Sequence, residues 1–114
     1  MKITVLAGGL SPERDVSLTS GTLIANALRE RGHLVALVDV YLGTGLPDDP
    51  DTLFTTTPTP EVAVPEKEPD LEKLKRESGN GDALIGKNVI EICRRADTVF
   101  LALHGAMGEN GQLQ

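Results

Sequence analysis

Two stretches of this 114-residue chain carry residue types that could do chemistry. In the first, Gly8-Gly9-Leu10-Ser11-Pro12-Glu13-Arg14-Asp15 follows a short apolar run. In the second, an apolar run ends in Leu103-His104-Gly105, and a glycine-punctuated loop with Glu109 follows. Glycines beside a helix start let backbone amides approach an anion. A carboxylate at the mouth of a crevice can hold an ammonium group through a charge-assisted hydrogen bond. An imidazole at a strand end can orient a substrate or a neighbouring carboxylate.

Each of these residues also has a purely structural reading. The glycines do not follow the Gly-x-Gly-x-x-Gly dinucleotide pattern, and no Gly-Lys-Ser/Thr ending marks a P-loop. They suit a tight strand-to-helix turn equally well. Glu13 in the first turn of a helix would complement the helix dipole, worth about 0.3–1 kcal/mol. Arg14 and Asp15 suit solvent-facing positions, Asp39 a turn, and Glu109 the shaping of its loop. His104 could be a satisfied structural histidine. His33 is distant in sequence, so no metal-binding cluster is expected. The single cysteine, Cys93, sits in an apolar helical pattern and reads as a small core filler.

The elements that must position these groups follow from periodicity. Ile3 to Ala7 is a continuous apolar run ending in Gly-Gly, as expected of a central parallel strand covered on both faces. Ser11-Pro12 signals a helix start. Val16, Ser20, Leu23 and Ala27, with Ile24 and Leu28 beside them, predict its buried face. Gly32 marks its end. Leu34 to Val40 reads as a second strand. Between Gly43 and Asp70 the chain carries six of its seven prolines, which predicts an irregular insert over about 43–80. Within it, Val62 to Val64 could form a short edge strand, Asp70 to Arg76 one or two helical turns with a solvated basic face, and Gly79 to Asp82 a turn. Ile85, Val89, Ile92 and Ala96 predict a third helix beginning near Leu84, and Thr98 to Leu103 a third strand.

The layout is β-α-β-insert-α-β, an α/β, Rossmann-like half with a parallel sheet. Right-handed crossovers, with the two main helices on opposite faces, give the strand order 2-1-3. A switch point then lies between strands 1 and 3, where open sheets place ligands. The loops carrying Glu13 and His104 should therefore border one crevice.

Composition narrows the partners. Eleven basic residues against 17 acidic ones give a net charge of −6. That is the wrong sign for nucleic acid or anionic membranes. The apolar run at the N-terminus is too short for a signal peptide or a membrane span. One cysteine allows no internal disulfide, and a cytoplasmic setting fits.

Taken together, Lys2 to Gly21 and Val99 to Gln114 resemble the opening domain of the D-alanine–D-alanine ligases, with Ser11-Pro12-Glu13-Arg14 and Leu103-His104-Gly105 the most telling matches. The insert resembles them least. This resemblance implies a pre-ATP-grasp domain over 1–114, contributing the first D-alanine subsite of an ATP-grasp enzyme. That enzyme uses ATP and magnesium to make D-alanyl-D-alanine for peptidoglycan. It further implies that Glu13 holds the ammonium of the first D-alanine, that His104 belongs to the same subsite, and that Val16 lines a methyl pocket. The family's nucleotide- and magnesium-binding residues lie beyond residue 114. The chain is thus expected to be a fragment without its ATP-grasp domains, binding no cofactor and inactive alone, from a protein that forms homodimers. Alternatives are a D-Ala-D-lactate or D-Ala-D-Ser ligase fragment, and a non-catalytic binding or dimerisation module.

Overall fold

Three parallel strands form the sheet of the computed structural model, which describes residues 1–10, 12–45, 47–60, 70–78, 85–86 and 88–102. They are β1 (Lys2–Ala7), β2 (Leu34–Asp39) and β3 (Thr98–Leu101). The order is β2-β1-β3, as expected for right-handed crossovers with helices on opposite faces. Register pairs Val5 with Leu37 on one side and with Phe100 on the other.

The central strand is mostly apolar, with Ile3, Val5, Leu6 and Ala7 buried, because both of its faces are covered. Ile3, Val5 and Ala7 point to one side, where they cluster with Val35, Ala102 and Ala25 of helix α1 (Arg14–Glu30). Leu6 points to the other, with Ala36, Val38, Val40, Phe54 and the Val89 and Ile92 side chains of helix α3 (Val89–Arg95). Thr4 shares that second face and is fully buried; its hydroxyl donates to the Ile92 carbonyl at 3.3 Å. Helices therefore lie on both sides of one sheet, in three layers. A third helix, α2 (Leu71–Ser78), buries none of its residues. It carries the i,i+3 and i,i+4 ion pairs of a solvated helix, Glu72–Lys75 and Lys73–Glu77.

Helix α1 corrects the face expected from periodicity. Its buried row is Arg14, Ser17, Gly21, Ala25 and Arg29, with Thr22 beside it, while Val16 and Leu23 are exposed and Ile24 and Leu28 are partly buried. The cause is close approach. A Cβ on Gly21 would stand 2.6 Å from the Ala7 Cβ, so only a residue without a side chain lets the helix sit this near the sheet. Apolar periodicity follows the large residues; this contact selects the small ones. The helix also begins at Arg14, two residues after Pro12, with Glu13 as its N-cap. Its C-terminus ends as expected. Gly32 adopts φ 92°, its amide bonds to Arg29 O at 2.9 Å and the His33 amide to Leu28 O at 3.2 Å, which closes a Schellman motif.

β2 stops at Asp39, one residue before the expected end, because the Asp39 carboxylate captures the amides of Tyr41 (2.9 Å) and Leu42 (3.1 Å) and turns the chain. The excursion that follows is tied down in several places. Val35 and Thr55 form an antiparallel bridge on the outer edge of β2. The buried Arg29 guanidinium donates to the carbonyls of Val35 and Thr55 and to the Thr59 hydroxyl. Asn26 exchanges two 2.8 Å bonds with the Thr59 backbone. Gly86 returns against the turn that follows β2, where a Cβ would meet the Tyr41 carbonyl oxygen at 2.2 Å. Asn88, at φ 65°, then sets the start of α3, which is why that helix begins at Val89 rather than near Leu84. The expected edge strand at Val62 to Val64 and the turn at Gly79 to Asp82 lie outside the described residues.

β3 has only β1 as a neighbour among the described residues, and Val99 and Phe100, on its opposite faces, are both exposed. No helix among those residues is long and apolar enough to cross a membrane.

Candidate functional site

The strand order brings the carboxyl ends of β1 and β3 side by side. Gly8 and Gly9 leave β1 at φ 76° and 90°, values that favour glycine. At Gly8 the need is also spatial, since a Cβ there would lie 2.8 Å from the Asp39 carboxylate carbon.

Ser17 closes the junction. Fully buried on the first turn of α1, it accepts the Gly8 amide at 2.8 Å, and its own hydroxyl donates to the Ala102 carbonyl just past β3. Its backbone amide bonds to the Glu13 carbonyl at 3.0 Å. One residue thus touches the end of β1, the end of β3 and the start of α1.

Arg14 provides a second anchor, and here the solvent-facing reading fails. The side chain is buried, donating to the Gly9 carbonyl at 2.7 Å and pairing with Asp39 at 2.5 Å. Asp39 also accepts the Gly9 amide at 3.5 Å. It is more than a turn residue: it is an internal counter-charge for Arg14 at the tip of β2. The signal that could have exposed the pair is the sheet order itself, which sets the tip of β2 beside the loop after β1.

This arrangement decides what the glycine turn can bind. An anion site needs amides that point outward and are unpartnered. The Gly8 amide is taken by Ser17, and the Gly9 amide by a carboxylate that would repel a phosphate. No group of three His, Cys, Asp or Glu among the described residues could hold a metal ion. The Gly8 and Gly9 amides are therefore not free to cradle a phosphate.

Glu13 stands at the exposed N-cap of α1, at the carboxyl-end rim of the sheet. Its carboxylate makes no capping bond to the helix it precedes. Val16 is three positions further on, and residues so spaced share a helical face. His104 and Glu109 lie outside the described residues; in sequence, His104 follows Ala102 by two positions.

Cys93 is half-buried against the α3-side cluster, in keeping with a core filler, and burial pushes its thiol pKa up. It lines an apolar cavity of about 380 Å³ with Leu6, Val89 and Val99. Burial lowers the pKa of Arg29.

Comparison with known proteins agrees with this geometry. Residues 2–114 match the family described as D-ala D-ala ligase N-terminus. The chain is 44% identical over 120 residues to a D-alanine–D-alanine ligase of Pediococcus pentosaceus, covering all of this chain and 34% of that protein. It is 43% identical over 122 residues to one from Lacticaseibacillus casei, covering 100% and 33%. It is 36% identical over 114 residues to one from Coprothermobacter proteolyticus, covering 100% and 24%. The chain therefore spans about a third or less of the length of these relatives. With its parallel sheet, its strand order and this match over nearly every residue, the chain belongs to the D-ala D-ala ligase N-terminus family.

Proposed function

We propose that this chain supplies the first-D-alanine subsite of an ATP-dependent D-alanine–D-alanine ligase. The observation that carries the reading is the exposed Glu13 carboxylate at the rim where β1 and β3 end together. A carboxylate there can hold a D-alanine ammonium by a charge-assisted hydrogen bond. Val16, close to it on α1, suits a methyl group. His104, soon after β3, is assigned to the same subsite.

In the complete enzyme the first D-alanine carboxylate takes the γ-phosphoryl group of ATP, releasing ADP. The amine of the second D-alanine then attacks the acyl carbon and expels inorganic phosphate, forming the peptide bond. This chain's share is to bind and orient the first amino acid. Nucleotide and magnesium are assigned to the part of the enzyme that lies outside this chain. The dipeptide serves peptidoglycan synthesis, in a cytoplasmic and homodimeric enzyme.

The test is Glu13→Gln in the complete ligase. It should raise the KM for the first D-alanine and leave the KM for ATP unchanged. Unaltered D-alanine kinetics would remove Glu13 from the subsite. The 114-residue chain alone should release no ADP from ATP in the presence of D-alanine and magnesium.

A further inference from the structure

We infer that Ser17 is a positioning residue for the ligation reaction, acting through Glu13; this rests on the functional reading above. Neither composition nor motif spacing draws attention to it. The geometry does. Its hydroxyl oxygen is at once the acceptor for the last amide of the β1 turn and the donor to the carbonyl that follows β3. Its amide makes the first i→i−4 bond of α1, to the Glu13 carbonyl, so what the hydroxyl anchors is joined to Glu13 through a single helical turn. The side chain is fully buried, so water cannot replace either hydroxyl bond without opening the junction.

The Glu13 backbone is therefore held from both sides. On one side Ser17 ties it to the ends of β1 and β3. On the other, the neighbouring Arg14 is fixed by the Gly9 carbonyl and by Asp39. A carboxylate on an exposed N-cap would otherwise move with the loop that precedes it. A misplacement of 1 Å in a reacting or binding group can cost about a hundredfold in rate. The Ser17 hydroxyl sets where Glu13 stands relative to Ala102 at the end of β3.

The experiment is a double-mutant cycle in the complete ligase, with Ser17→Ala, Glu13→Gln and the pair. Ser17→Ala should raise the first D-alanine KM by roughly tenfold or more, with the ATP KM unchanged. That rise should vanish when Glu13 is already Gln, because residues acting through one another are not additive. Thr4→Val removes a different buried hydroxyl bond, between β1 and α3, and should lower stability without altering either KM. If Ser17→Ala does not fold, Ser17→Cys, whose thiol fills the same space and makes weaker bonds to the Gly8 amide and the Ala102 carbonyl, should show the same coupling to Glu13. Additive effects, or equal changes in both KM values, would overturn the role. An unmutated enzyme that makes no D-alanyl-D-alanine would overturn the functional reading itself, and this role with it.

Discussion

Ser17 and Ala102 stand 85 positions apart in sequence, yet the hydroxyl of one donates to the carbonyl of the other. The bond spans α1 and β3 at the switch point of the sheet. It means that the loop after β1 and the chain leaving β3 are not independent: a shift in one must be felt in the other.

Arg14 and Asp39 give the first stability prediction. The pair is buried, with side chains 8% and 14% exposed. Arg14→Met should destabilise the fold by about 3–5 kcal/mol, because it strands a buried carboxylate. Asp39→Asn should cost as much, because it strands the buried Arg14 guanidinium and turns an amide NH2 toward it, although the amides of Gly9, Tyr41 and Leu42 keep an acceptor. Urea unfolding of the two variants measures both losses, and a loss well below this range for either would argue against the ion pair as the source.

Gly21 gives the second. Gly21→Ala places a methyl group 2.6 Å from the Ala7 Cβ, against a strand that cannot retreat. The expected loss is about 1–3 kcal/mol, despite the better helix propensity of alanine. Gly32→Ala meets nothing within 4 Å and suffers only from its positive φ, so its cost should be smaller, about 1 kcal/mol. Denaturant midpoints would separate the two mechanisms.

Cys93 gives a pH prediction. Burial raises its pKa above the ordinary value of 9.0. As pH climbs through 9.0, the unfolded chain loses the thiol proton before the folded one. The unfolded state then binds fewer protons, and stability falls with rising pH from that point up to the raised folded value. Below the ordinary value the contribution is fully retained. Cys93→Ala should abolish this component of the alkaline loss. In the wild type, iodoacetamide should modify the thiol more slowly at pH 8 in the folded chain than in urea, as mass spectrometry can record.

Arg29 gives the fourth. Its guanidinium reaches two carbonyls and a hydroxyl from a buried stem, which a lysine ammonium cannot reproduce in one plane. Arg29→Lys should loosen the segment near Thr55 and Thr59 before it loosens the sheet. Limited proteolysis should therefore cut there first, at a denaturant concentration that leaves far-ultraviolet circular dichroism unchanged.

Much of this fold can be read from the amino acids alone. The apolar run Ile3 to Ala7 declares a central strand because both of its faces are covered. Gly32 declares a helix stop because the motif requires a positive φ. The order 2-1-3 follows from chain handedness. The buried face of α1 was hidden, because Gly21, Ser17 and Ala25 are small and carry little hydrophobic signal. The part played by Arg14 was hidden too. Its partner is 25 positions away on the tip of β2, and a charged residue next to Glu13 and Asp15 looks like surface until the sheet is assembled. Local spacing carries the elements; polar contacts between elements appear only once the topology is in place.

The outer edge of β3 has a practical consequence. Its backbone is unpaired on one side among the described residues, and Val99 and Phe100 leave oily surface on either side of it. Ladders like this recruit one another. Preparations of the 114-residue piece should grow turbid as they are concentrated, so ligand titrations on it belong at low micromolar strength with light scattering watched alongside.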